Sequence, residues 1–226
     1  MPRLTPIAFA IPVAITMVSS RAFADDSGLF AKLLSDPAEQ QRVISAAGRS
    51  TVVLQSPCPS AQFRIANKFV PYKPVSFDGT GAIVSGAWKQ IVQVEGCGRT
   101  RLLNVFVTVE GPNKLSAMPL LPGSTHADAL LQKDAVKYAV VALATARGGR
   151  EANCQIGYVA NTEYLEQEKE TLPGAKEPAW RELWTLASCT QKMIVPMHFI
   201  PDSTGTTISA GPGTDIKVVP LSQGGV

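Results

Sequence analysis

The chain has 226 residues, 45% hydrophobic and 17% charged, a balance that builds a core and excludes the weakly hydrophobic, highly charged class of disordered chains. Arg3 and Arg21 are two of its 21 basic residues, while all 18 acidic residues lie beyond residue 24. Residues 25–226 are therefore within one charge of neutral, which removes the electrostatic case for a nucleic acid or an anionic membrane surface as partner.

Residues 1–24 have the parts of a secretory signal peptide: Arg3, an uncharged run from Leu4 to Ser20, and Ala22 and Ala24 before a cut at Asp25. Pro6 and Pro12 interrupt the run, whereas spanning a bilayer takes about 20 predominantly apolar residues, so removal is expected and no membrane anchor remains. The first cysteine is Cys58, so none stands at the cut to carry a lipid. A soluble mature chain in the periplasm or the extracellular space is the expectation.

Leu29, Phe30, Leu33 and Leu34 predict a helix over Ser27 to Ser35. Asp36 as N-cap, Pro37 at the first helical position and Gly48 past the end predict a second from Pro37 to Ala47. Val52 to Gln55 reads as a short extended segment leading to Cys58. Residues 87–107 then read as a β-hairpin with one core face, lined by Trp88, Val92 and Val94 before the turn and by Leu103, Val105, Val107 and Val109 after it. Pro119, Pro122 and Gly123 punctuate a linker from Ser116 to Thr125. A long helix from about His126 to Ala146, capped by Ser124 or Thr125, ends in the uncharged AVVALATA and reads as a central helix covered from both sides. Glu163 to Pro178 reads as a solvated loop or frayed helix, and residues 211–226 as a flexible tail.

Residues 179–199 superpose without a gap on residues 87–107: Trp180 on Trp88, Cys189 on Cys97, Leu186 on Val94, Met197 on Val105 and Phe199 on Val107. The match predicts a duplication, with one unit over residues 25–118 and another over 119–210. The expected fold is α+β, two tandem copies of a helix followed by an antiparallel β-meander, each with one disulfide. Four cysteines in an exported chain point to two bridges, and there is no C-x-x-C or adequate histidine supply for zinc. Of three possible pairings, the duplication selects Cys58 with Cys97 and Cys154 with Cys189.

No pattern in the chain carries catalysis, a metal or a cofactor. The motifs G-x-S-x-G and S-x-x-K are absent. His126 sits at a predicted helix start, and His198 alternates with apolar Met197 and Phe199 as a solvent-facing strand residue. Gly79-Thr80-Gly81 and Gly211-Pro212-Gly213 read as turns, as do the surroundings of Asp78 and Asp202. Trp184 stands where the first hairpin has Val92, so it is the candidate recognition residue, with Arg181 and Glu182 as a polar rim; a larger core side chain is the competing reading. The function expected is that of a non-enzymatic binding protein for an envelope protein or an apolar small molecule. The alternatives are an enzyme whose site has no local signature and a structural envelope component.

Overall fold

The computed structural model describes residues 21–145 and 157–220. Three helices come first, α1 (Arg21–Ser35), α2 (Pro37–Gly48) and α3 (Thr51–Gln55). A four-stranded antiparallel sheet follows in the order β1 (Gln62–Phe77), β2 (Ile83–Gly96), β3 (Arg99–Gly111) and β4 (Lys114–Pro119). Helix α4 (Ala129–Thr145) then leads to a five-stranded sheet of β5 (Tyr158–Gln167), β6 (Trp180–Ala187), β7 (Gln191–Pro201), β8 (Thr206–Ala210) and β9 (Lys217–Pro220).

The chain is not two tandem copies of one helix-and-meander unit. Among the described residues three helices precede the first sheet and one precedes the second, and the sheets differ in strand number. In the second, β8 pairs with the Met197–Pro201 end of β7 while β9 pairs with its Gln191–Ile194 end. The likeness between residues 87–107 and 179–199 is confined to one hairpin of each sheet, where Trp88 lies opposite Val107 and Trp180 opposite Phe199. A hairpin with one buried face imposes the same period-two apolar pattern wherever it occurs, and that pattern carries no information about the elements around it. Bridge Cys58–Cys97 is present; Cys189 is also disulfide-bonded, and Cys154 lies outside the described residues. The leader read over residues 1–24 also lies outside them, except for its last four residues, which belong to α1.

Each sheet buries one face under its own helix. Trp88, Val92, Leu103, Val105 and Val107 pack against Val43, Ala46 and Ala47 of α2, with Phe30 of α1 meeting the Trp88 ring edge-on at 5.1 Å. In the second sheet Trp180, Trp184, Met197 and Phe199 pack with Ala135, Ala139 and Ala142 of α4, and Trp180 stacks on Phe199 at 4.9 Å. Three alanines on one face let α4 lie close to the sheet. Its other face stays in solvent: Val140 and Val141 are exposed, which corrects the expectation of a helix covered from both sides.

Other local expectations shift for identifiable reasons. Asp36 caps α2 as expected, accepting from the Ala38 and Glu39 amides. Residues 51–55 form a helical turn instead of an extended segment, held by the Ser50 carbonyl and by burial of Val52; tertiary contact overrides the weak strand preference of two valines. Helix α4 starts at Ala129 with Asp128 as its cap, accepting from the Leu131 amide at 2.9 Å, because the backbone of Ser124, Thr125 and His126 is already bonded elsewhere. Strand β4 takes the first residues of the predicted linker, β5 the first residues of the predicted Glu163–Pro178 loop, and β9 part of the predicted tail.

Candidate ligand-binding site

The segment between β4 and α4 lies between the two sheets and is gripped from both. From the first sheet, Asn104 Nδ2 donates to the Leu121 and Gly123 carbonyls at 2.7 and 3.0 Å, and Lys89 Nζ donates to the Thr125 carbonyl at 2.9 Å. From the second, Thr162 Oγ1 donates to the Pro122 carbonyl at 2.6 Å and its carbonyl accepts from the Ser124 amide. Gly123 has φ +100°, and a Cβ there would stand 2.0 Å from the Thr162 carbonyl oxygen, so only glycine fits this crossing.

Glu182 closes the seam. It is fully buried, and its Oε1 accepts from Thr125 Oγ1, the His126 amide and Trp180 Nε1 at 3.1, 2.8 and 2.9 Å, while Oε2 accepts from Trp184 Nε1 at 2.7 Å. Alternation on β6 explains this placement: Trp180, Glu182 and Trp184 all point to the covered face. Lys89 supplies the facing positive charge; burial lowers its pKa and the attraction of Glu182 works against that shift. Of the three residues singled out for recognition, Trp184 and Glu182 thus lie in the interior. Arg181 is exposed, 3.7 Å from both Glu166 and Glu168. His126 and His198 pair with Glu177 and Glu168 at 2.8 and 3.0 Å. Asp78 and Asp202 each accept from the amide and hydroxyl of a threonine two residues on, which makes them turn-forming carboxylates.

A hollow opens at one end of the first core. It has a volume of about 350 Å³. Val53 of α3, Ala61, Val94 of β2 and Leu103 of β3 make its apolar wall, and Pro57 with the Cys58–Cys97 bridge makes another. Backbone packing there is tight, since a Cβ on Gly96 would meet Cys58 Sγ at 2.8 Å and Ala61 Cα at 2.9 Å. Arg99 and Arg101 line the hollow as well. Arg101 donates to the Val52 carbonyl and to Ser56 Oγ, each at 3.4 Å, tying β3 to α3. Its pKa is lowered, first by burial and then by the like charge of Arg99.

Of these lining residues the sequence marked the cysteines, and Val94 and Leu103 as core positions of a hairpin, but not the hollow they enclose or its arginines. A signal was present nonetheless: Arg99, Arg101 and Leu103 alternate, so strand geometry sends both guanidiniums to the face that is core from Leu103 onward. Among the described residues no group of three or more metal-ligating side chains comes together, and no helix is long and apolar enough to cross a membrane. No family model, no curated protein and no solved structure matches the chain.

Proposed function

We propose that this chain is an exported, non-enzymatic binding protein for a small apolar molecule, seated in the hollow beside Cys58–Cys97. The observation that carries the reading is the hollow itself. About 350 Å³ stands open against Val94 and Leu103, within the range of roughly 300–1,000 Å³ that ligand pockets occupy. The leader pattern of residues 1–24 and the presence of a disulfide support export. A second reading, docking of an envelope protein, is favoured by Leu130, Tyr138, Val140 and Val141, all exposed on α4.

Native mass spectrometry of the chain purified from its own envelope, beside a Val53→Phe variant that fills the hollow, tests the proposal. A retained small molecule that the variant releases supports it. A co-purifying protein chain with no small molecule overturns it in favour of the second reading.

A further inference from the structure

The Cys58–Cys97 bridge forms one wall of the hollow and stands at a turn open to solvent. Strands β2 and β3 pair down to Gly96 opposite Arg99, so Cys97 and Gly98 alone make the hairpin turn, with φ +49° and +70°. Turns of this kind need positive φ at both central positions and favour asparagine or glycine there. A cysteine has no such preference, and its Cβ crowds the backbone in this conformation. Among the described residues Asn113 is the one other non-glycine residue at positive φ, and asparagine is a residue type that tolerates it. Cys97 is exposed and Cys58 half-buried. Ser60 Oγ stands 3.4 Å from Cys58 Sγ and 3.8 Å from Cys97 Sγ.

We infer that Cys58–Cys97 is a thiol–disulfide exchange site for a small dithiol, and that its opening empties the hollow. The second half of the inference rests on the binding role proposed above; the first half does not. A thiolate of the dithiol attacks the exposed Cys97 Sγ and forms a mixed disulfide, while the bond to Cys58 Sγ breaks and its electron pair leaves on that sulfur. The Ser60 hydroxyl is placed to donate to the departing thiolate, which then takes a proton from water. The second thiolate of the dithiol closes on its own bonded sulfur and releases Cys97 as a thiolate, protonated in turn. Two electrons and two protons pass from the dithiol to the bridge, leaving two cysteine thiols and a cyclic disulfide. Exposed or strained bridges are the labile ones, and here the strain lies in the backbone of Cys97. Once open, the bridge no longer holds Pro57 and Cys58 against the β2–β3 turn, so the hollow loses the wall they make.

Graded reduction of the exported chain with dithiothreitol, followed by iodoacetamide labelling and peptide mapping, tests the exchange site. Calorimetric binding of 1-octanol at each step tests its consequence, with circular dichroism to separate release from unfolding. Cys58 and Cys97 should be labelled while Cys189, disulfide-bonded in a backbone without positive φ, stays protected. The opened chain should hold 1-octanol at least about tenfold more weakly, and reoxidation should restore the affinity. Ser60→Ala should slow the opening and leave octanol binding to the oxidised chain unchanged; an unaltered rate overturns the part given to its hydroxyl. Labelling of Cys189 before or together with the pair, or no labelling until the chain unfolds, overturns the exchange site. Labelling with octanol affinity unchanged, or octanol lost only on unfolding, overturns the emptying of the hollow and leaves the exchange site standing. If the oxidised chain binds no octanol, the hollow falls as a ligand site, and the exchange site is decided by the labelling alone.

Discussion

Glu182 carries four hydrogen bonds in a place from which water is excluded, and its neighbours depend on it as much as it does on them. Trp184→Ala empties a large buried site and strips Oε2 of its donor, so a loss of about 3–5 kcal/mol is expected in chemical denaturation; a loss under 1 kcal/mol would place Trp184 outside the core. Tyr72 gives a pH-dependent expectation. Its hydroxyl is buried without a hydrogen-bond partner among the described residues, and burial, helped by the Asp128 charge, pushes its pKa from 10.0 to about 12. Between those values the unfolded chain has lost the proton that the folded chain keeps, so stability falls as pH rises through the window. Lys89, with its pKa lowered from 10.5, acts in the opposite sense just below that value. Comparing wild type with Tyr72→Phe isolates the tyrosine: the variant should be at least as stable at neutral pH and show a shallower decline between pH 10.0 and about 12.

At the scale of elements, the seam between the sheets depends on a segment that is neither helix nor strand. Gly123→Ala must push a Cβ into the Thr162 carbonyl at a positive φ, and a loss of more than about 2 kcal/mol is expected, larger than any propensity effect of alanine. Thermal unfolding of that variant checks it; a change within about 0.5 kcal/mol would show that the two sheets can part at this crossing without cost. Asp128→Ala should cost about 1 kcal/mol through loss of the α4 cap, whereas an alanine at Ser124 should leave helix stability near wild type because it does not cap α4. The predicted start of α4 failed because capping patterns are read over three or four residues. Competition for Thr125 and His126 comes from Thr162 and Glu182, 37 and 56 residues away.

At the scale of the molecule, the Cys58–Cys97 bridge joins residues 39 apart, a closure worth about 4 kcal/mol in the chain-entropy model and less if the native state is strained. Replacing both cysteines by serine should lower the denaturation midpoint accordingly and weaken retention of any small molecule, since the bridge is one wall of the hollow. Unchanged retention in the double serine variant would move the ligand elsewhere. Export predicts an intact mass for residues 25–226 in the envelope fraction; uncut protein in the membrane would refute it.

What the sequence determined by itself is what period and neighbouring residues can encode. The faces of both hairpins, the Asp36 cap and the turns at Asp78 and Asp202 all depend on side chains within a few positions of one another. The inference from hairpin likeness to whole duplicated units went beyond that reach, because a buried face constrains its own strands and not the number of helices or strands around them. Tertiary structure alone decided that Glu182 lies inside, although it was read as a rim residue: a carboxylate on a core face is tolerable only where distant donors converge on it, here from Thr125 and His126 and the two flanking tryptophans. The same holds for the hollow. Val53, Val94, Arg101 and Leu103 come from a helical turn and two strands, and the empty space among them arises from how those elements meet, a relation that no local stretch of chain records.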